Sequence, residues 1–268
     1  MDKNSQKIKI AIDAMGGDFA PINEIEGVIE FFKDKHISQN VEIIFVGKED
    51  VINNALLNYN LQADVYSIYH SNEVVLMSDD ATVAIKQKKQ SSMYLGLMLH
   101  KNNNADAFLS AGNTGAMLST STVLLGRVKG VSRPTIGAFF PTKKNKPVLI
   151  VDVGANVDCK PKFLYEFAVM GSIYIQNMLN INNPKVGLLN IGEEPSKGNE
   201  ATHQAFSLLQ SSDVVNFGGN MEGRDIFSGD FDVVVCDGFT GNIVLKFAES
   251  FLGMMKSMIS DYADKSLI

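Results

Sequence analysis

The sequence predicts an α/β protein built on a mostly parallel sheet with helices on both faces. Three observations carry this expectation. Short Val/Ile/Leu-rich runs recur along the chain at strand length, near-continuously apolar, as strands covered on both faces are. Helical patterns lie between most of them, which makes βαβ units. Several strands end in a glycine-punctuated loop that opens into a helix.

The expected strands are Ile8–Ile12, Val41–Gly47, Asp64–Tyr69, Ala107–Ser110, Thr135–Phe140, Val148–Val153, Val186–Ile191, Val214–Phe217 and Asp232–Cys236. The expected helices include Ile22–Lys33, Thr114–Leu125, Pro161–Leu179, Asn199–Gln210 and Gly241–Ile259. Pro161 suits the first turn of its helix, where its missing N–H is no loss. Ser71–Asn104 reads as an insertion with two helices and the lysine cluster Lys86, Lys88 and Lys89, whose bland reading is a solvated helix face. The closing stretch Phe247–Met258 is a Met- and Leu-rich helical arm. No compositional linker divides the chain, so its 268 residues are expected to form a single α/β domain spanning 1–268.

Composition narrows the function. The chain is 45% hydrophobic and 20% charged, enough for a sizeable core. A formal net charge of −6 argues against a general nucleic-acid binder. Cys159 and Cys236 are far apart, which fits a reducing cytosol rather than a disulfide framework. The N-terminal stretch lacks the apolar centre of a signal peptide, and no apolar run reaches membrane-span length. His36, His70, His100 and His203 are scattered without metal-ligand spacing, so no metal is expected. Neither GxGxxG nor the Walker pattern GxxxxGKS/T is present, and no nucleotide cofactor is expected.

Five loops hold the chemistry: Ile10–Asp18, Ser110–Ala116, Val151–Asp158, Asn190–Glu200 and Cys236–Asn242. In a parallel sheet such loops emerge at the carboxyl edge, where open α/β folds bind ligands, and they are expected to line one site. Gly16, Gly17, Gly115, Gly198 and Gly241 allow close backbone approach, although such glycines also serve ordinary tight turns. Asn113, Asn156 and Asn242 offer amide donors without charge. The hydroxyls of Thr114 and Thr240 can cap helices or donate to a phosphate. Asp13 and Asp152 can orient a ligand or cap the following turn. Arg133 can clamp a phosphate with two parallel hydrogen bonds, or can be an ordinary surface arginine. Lys197 is the lone lysine of its loop, set just before a helix start, where an anion would be met by charge and by N–H groups. Around it stand Glu193, Glu194 and Glu200, so the same lysine can simply pair with a glutamate. Cys159 follows a glycine loop with no histidine near it in sequence; residence near a helix start is its commoner explanation. Cys236, within an apolar strand, reads as core.

At these residues the sequence resembles the acyl-(acyl-carrier-protein):phosphate acyltransferases of bacterial phospholipid synthesis. The matching segments are IAIDAMGGDFAP, SAGNTGAML, RPTIGAFFPT, VDVGANVDCKP, FAVMGSIY, VGLLNIGEEPSKGNE and NMEGRDIFSGDFDVVVCDGFTGNIVLK, in the family's order and spanning nearly the whole chain. The resemblance implies a Rossmann-like fold related to the isocitrate/isopropylmalate dehydrogenases and phosphotransacetylases. It implies attack of inorganic phosphate on an acyl-carrier-protein thioester, a reaction that needs no covalent enzyme nucleophile. Lys197 and Asn242 are then the expected catalytic pair, meeting phosphate and the developing oxyanion. It further implies a homodimer associated with the inner, cytoplasmic face of the membrane, with a downstream glycerol-3-phosphate acyltransferase as a further partner. The family's pattern continues past the Phe247–Met258 helix to a GGAPLLG-like loop and a KSHGSS-like segment, so this chain is expected to lack a C-terminal segment. Two other functions compete: a nicotinamide-dependent dehydrogenase of the related fold, and a membrane-surface scaffold docking through the Met-rich helix.

Overall fold

The computed structural model describes residues 7–266. The chain forms two compact units that divide between Arg127 and Val128, where the sequence reading expects one domain. Each unit has its own sheet, all parallel in the first and mostly parallel in the second, and its own core.

The first unit runs β1 (Ile8–Asp13), α1 (Ile22–Lys33), α2 (Lys35–Ser38), β2 (Val41–Gly47), α3 (Glu49–Leu56), β3 (Tyr66–His70), α4 (Val83–Lys86), α5 (Ser92–Lys101), β4 (Ala107–Leu109) and α6 (Thr114–Leu124). Its sheet has the order β3-β2-β1-β4, and every pairing is parallel. Alternate residues of β2 face opposite cores: Ile43 and Phe45 pack with α1 and α3, while Ile44 and Val46 pack with Leu99 of α5. The expected insertion does carry two helices, α4 and α5, and Ser91 caps α5 by accepting from the Tyr94 N–H.

The second unit runs β5 (Gly137–Phe140), β6 (Val148–Val151), α7 (Pro161–Leu179), β7 (Lys185–Leu189), α8 (Glu200–Gln210), β8 (Asn216–Met221), a 3₁₀ turn (Gly223–Ser228), β9 (Val233–Val235) and α9 (Gly238–Ser266). Its sheet order is β5-β6-β9-β7-β8. All pairings are parallel except β5 with β6. That pair is the exception in a mostly parallel sheet: the link between Phe140 and Val148 is too short for the crossover a parallel pair demands. Leu149, Val151, Val186, Leu188, Val233 and Val235 pack under α7 and α8. Val148, Ile150, Leu189, Val234 and Cys236 point the other way, toward the 3₁₀ turn and the first turns of α9. Helices thus cover both faces.

α7 begins and ends where the sequence places it. Pro161 opens it, and Asn180, in the left-handed region at φ 53°, ends it. Two elements are longer than the sequence suggests. β8 continues through Gly218 and Gly219 because a register shift between Val186 and Leu188 absorbs the irregularity, with Gly219 at φ +97°. α9 starts at Gly238 because the Asp237 carboxylate caps it, accepting from the Thr240 N–H at 2.7 Å.

Gly171 lets α7 lie close on the sheet, for a Cβ there would sit 2.7 Å from Cγ1 of Val233. Gly171→Val is expected to destabilise the protein by about 1–3 kcal/mol through overpacking, despite the gain in helix propensity, as read by chemical denaturation.

Candidate active site

At the carboxyl end of β6, Asp152 is fully buried and its carboxylate gathers the loop that follows. It accepts from the N–H groups of Gly154 (3.0 Å), Ala155 (2.8 Å) and Asn156 (2.8 Å) and from the Asn156 side-chain amide (2.7 Å). The same amide donates to the Pro134 carbonyl at 2.9 Å. Both expected ligand contacts are therefore committed to the fold: Asp152 caps its turn, and the Asn156 donors are used internally.

The β9–α9 loop is fastened to this one. The Gly238 N–H donates to the Asn156 carbonyl at 2.7 Å, and Gly241 lies against the Asp152 carbonyl so closely that no side chain fits. The Thr240 hydroxyl donates to Asp237 at 3.1 Å, so it supports the helix cap. Asn242 is exposed and makes no hydrogen bond among the described residues; its side-chain oxygen sits 3.6 Å from where a Gly154 Cβ would be. Of the asparagines proposed as donors in this unit, Asn242 alone keeps its amide available.

Three polar side chains hold the β7–α8 loop. The Asn190 amide donates to the Lys197 carbonyl at 2.9 Å, the buried Asn220 amide donates to the Glu194 carbonyl at 2.9 Å, and Asn199 caps α8 by accepting from the Thr202 N–H at 2.9 Å. Gly198 takes φ +105°, with Thr202 and Asn190 crowding the space a side chain would fill. The main chain of Lys197 is thereby held while its side chain is exposed. No ion pair joins Lys197 to Glu193, Glu194 or Glu200 among the described residues, and Glu200 instead accepts from Gln204 at 3.1 Å. The alternative reading, a lysine spent on a glutamate, is not what the described residues show.

Between these two loops opens a cleft of about 410 Å³, lined by residues that include Leu188, Asn190, Gly198, Asn199, Thr202, Asp237 and Thr240. It lies at the carboxyl ends of β7 and β9, where the start of α8 presents backbone N–H groups. Gly198 and Thr240 line it directly; Lys197 immediately precedes Gly198, and Asn242 follows Thr240 by two residues. Asn190, Asn199, Thr202 and Asp237 were not singled out from the sequence. The cap pattern Asn199–x–x–Thr202 is the signal that could have found two of them.

In the first unit, the loops after β1 and β4 meet. The buried Asp13 accepts from the Ser110 hydroxyl at 2.8 Å and from the Met15 N–H at 3.1 Å, and a Cβ on Gly16 would lie 3.1 Å from the Gly112 Cα. Gly17 packs against Glu24 and Ala111. Asn113 caps α6 through the Ala116 N–H at 2.9 Å and donates to the carbonyls of Leu76, Met77 and Asp79. Its donors are used within the fold, as is the close approach of Gly115 to Ala81. Thr114 is exposed, with no hydrogen bond from its hydroxyl among the described residues. Arg133 in the second unit holds its guanidinium 5.9 Å from the Phe163 ring centroid.

Residues 8–268 match the family described as fatty acid synthesis protein. A phosphate acyltransferase of Dictyoglomus turgidum is 42% identical over 260 residues, covering 97% of this chain and 76% of that one. One of Trichodesmium erythraeum is 48% identical over 243 residues, covering 90% and 70%. The chain belongs to the phosphate acyltransferase family. Among solved structures, the EutD phosphotransacetylase of Staphylococcus aureus matches with a TM-score of 0.63 at 20% identity, over 93% of this chain and 83% of that one. A phosphotransacetylase of Streptococcus pyogenes gives the same score and identity over 92% and 82%. At that identity the likeness is one of fold.

In this phosphate acyltransferase family member neither cysteine is set up as a nucleophile. Burial pushes the Cys159 thiol up to about 11, helped by the nearby Asp152, Asp237 and Asp158 charges. Cys236 lies in the core, and burial pushes its thiol upward as well. Activated cysteines show the opposite shift. At pH 8 the thiolate fraction of Cys159 is expected to be on the order of a hundredfold below that of an ordinary thiol, and iodoacetamide alkylation of the native protein should be correspondingly slow. Asp152→Ala would leave the N–H groups of Gly154, Ala155 and Asn156 without their acceptor; a loss of about 1–3 kcal/mol is expected in urea unfolding.

Proposed function

We propose that the chain transfers the acyl group of an acyl-carrier-protein thioester to inorganic phosphate, giving acyl phosphate and free carrier protein. Membership of the phosphate acyltransferase family over almost the whole chain carries this reading. A phosphate oxygen attacks the thioester carbon, a tetrahedral oxyanion forms, the C–S bond breaks, and the carrier thiol leaves with its electron pair and takes up a proton. The protein need supply no covalent intermediate, only alignment and charge.

Two features of the second unit suit that task. Lys197 brings a cation on a held main chain beside the N-terminus of α8, where oxyanions are favoured by charge and by N–H groups. Asn242 brings an amide that is not consumed by the fold. In this reading they meet the phosphate and the oxyanion. The neighbouring carboxylates Glu193, Glu194 and Glu200 are exposed and solvated, which weakens their repulsion of phosphate.

The same reading extends to the setting. The acyl phosphate feeds phospholipid synthesis through a glycerol-3-phosphate acyltransferase, and the protein works as a homodimer on the cytoplasmic face of the membrane. α9 supports an associating role, since Phe247, Phe251, Leu252, Met254 and Met258 are exposed along it. No helix among the described residues is long and apolar enough to cross a membrane. The fold kinship with isocitrate and isopropylmalate dehydrogenases belongs to this proposal too.

Incubation with acyl-carrier-protein thioester and phosphate should yield acyl phosphate, trapped as a hydroxamate by hydroxylamine; absence of product from an otherwise folded protein would refute the reaction. Lys197→Met should lower kcat/KM by about 10²–10³ with an unchanged circular dichroism spectrum. Full activity in that variant would remove Lys197 from the mechanism.

A further inference from the structure

Away from the cleft, the second unit carries a groove of about 690 Å³ between Val128–Val131 and the outer side of α7. α7 is apolar on two sides. Leu164, Phe167, Ala168 and Ile175 are buried toward the sheet, whereas Val169, Met170, Ile173, Tyr174 and Met178 line the groove. Ile173, Tyr174 and Met178 are 54%, 46% and 57% exposed. From Lys162 to Met178 this second stripe runs along roughly 24 Å of helix, at 1.5 Å per residue. Such a stripe, repeating at i, i+3/i+4 and left open, is the shape that receives a partner helix.

The N-terminal end of the groove is cationic in a chain whose formal net charge is −6. Lys129 and Lys162 line it, Lys160 is the residue that precedes α7, and Arg133 reaches over Phe163 one turn away. Three carboxylates stand near the lining, of which Asp213 is exposed beside Val214. Asp158 is exposed, and Glu166 is occupied by the Ser132 N–H and hydroxyl at 2.8 Å each, with Lys162 at 3.5 Å. The cations outnumber the acids, and Lys129 has no ion pair among the described residues.

We propose that this groove is the docking surface for an acidic helical carrier protein. An amphipathic helix of that partner lies along α7, its apolar side against Ile173, Tyr174 and Met178 and its carboxylates at Lys129, Lys160 and Lys162. The proposal rests on the acyl-carrier reading of the function and adds to it the place of recognition. Charge complementarity selects this occupant over the others. A bare acyl chain has no use for the cationic end. A second copy laid antiparallel would set each cationic end against its partner's apolar end, leaving Lys129 and Lys160 without counter-charge.

The test titrates the full chain with purified acyl-carrier-protein and follows turnover with both the carrier thioester and an acyl-pantetheine thioester. Lys129→Glu and Ile173→Glu should each weaken carrier binding by about tenfold or more, wild-type affinity should fall with added salt, and kcat/KM for acyl-pantetheine should stay unchanged. Unaltered carrier affinity in both variants overturns the proposal. An equal loss with acyl-pantetheine also overturns it, assigning the groove to the acyl chain, and dissociation of a dimer by Ile173→Glu assigns it to self-association. A wild-type chain that binds carrier protein in this way yet forms no acyl phosphate removes the proposed reaction and keeps the surface; turnover with unaffected variants does the reverse.

Discussion

The buried carboxylate of Asp152 is the interaction on which the second unit's site depends. A turn at the end of a central strand has to satisfy its backbone N–H groups away from water, and an orphaned donor there costs about 1–3 kcal/mol. Asp152 meets that demand for three successive residues. The fixed turn then presents the Asn156 carbonyl to the N–H of Gly238, and the Asp152 carbonyl to the face of Gly241. The start of α9, and with it Asn242, is set by this contact. The geometry of one loop is thus transmitted to another through groups that never need to touch a ligand.

Charge around Lys197 follows the same logic. Three glutamates flank it in sequence, but the main chain of the loop is pinned through Asn190 and Asn220 rather than through ion pairs. Hydrogen bonds to carbonyls fix the backbone without using the ammonium. An ion pair would have oriented the side chain at the cost of its charge. The loop is therefore ordered by neutral amides and leaves its one cation uncommitted, an arrangement that suits a site for a small oxyanion better than a structural salt bridge would.

Much of the fold was legible because its signals are local. The runs VLIV, KVGLL and VVV are strands whose alternate residues enter two different cores, and Pro161 and Asn180 mark the ends of α7. What was not legible depends on partners distant in sequence. The direction of β5 follows from a short link, the length of β8 from an extra residue that it carries against β7, and the division into two units from separate cores. The site shows the same split. Glycines, a lysine and asparagines at strand ends were visible, but an asparagine that donates to a ligand and one that spends its amide on a carbonyl are the same letter. Asn113 and Asn156 proved to be of the second kind, and only the three-dimensional hydrogen-bond accounting separates them from Asn242.

That accounting also explains why α7 bears two apolar stripes. A helix that only covers a sheet needs one buried face, and its outer side is usually charged or polar. α7 keeps Gly171 and Ile175 against the sheet, yet places Ile173, Tyr174 and Met178 on the side away from it. Its own fold gains nothing from leaving that surface in water, since each exposed side chain forgoes roughly 25 cal/mol for every Å² that burial would remove. The second stripe is accounted for by something outside the unit that covers it, and the lysines at its N-terminal end restrict that something to a partner carrying negative charge.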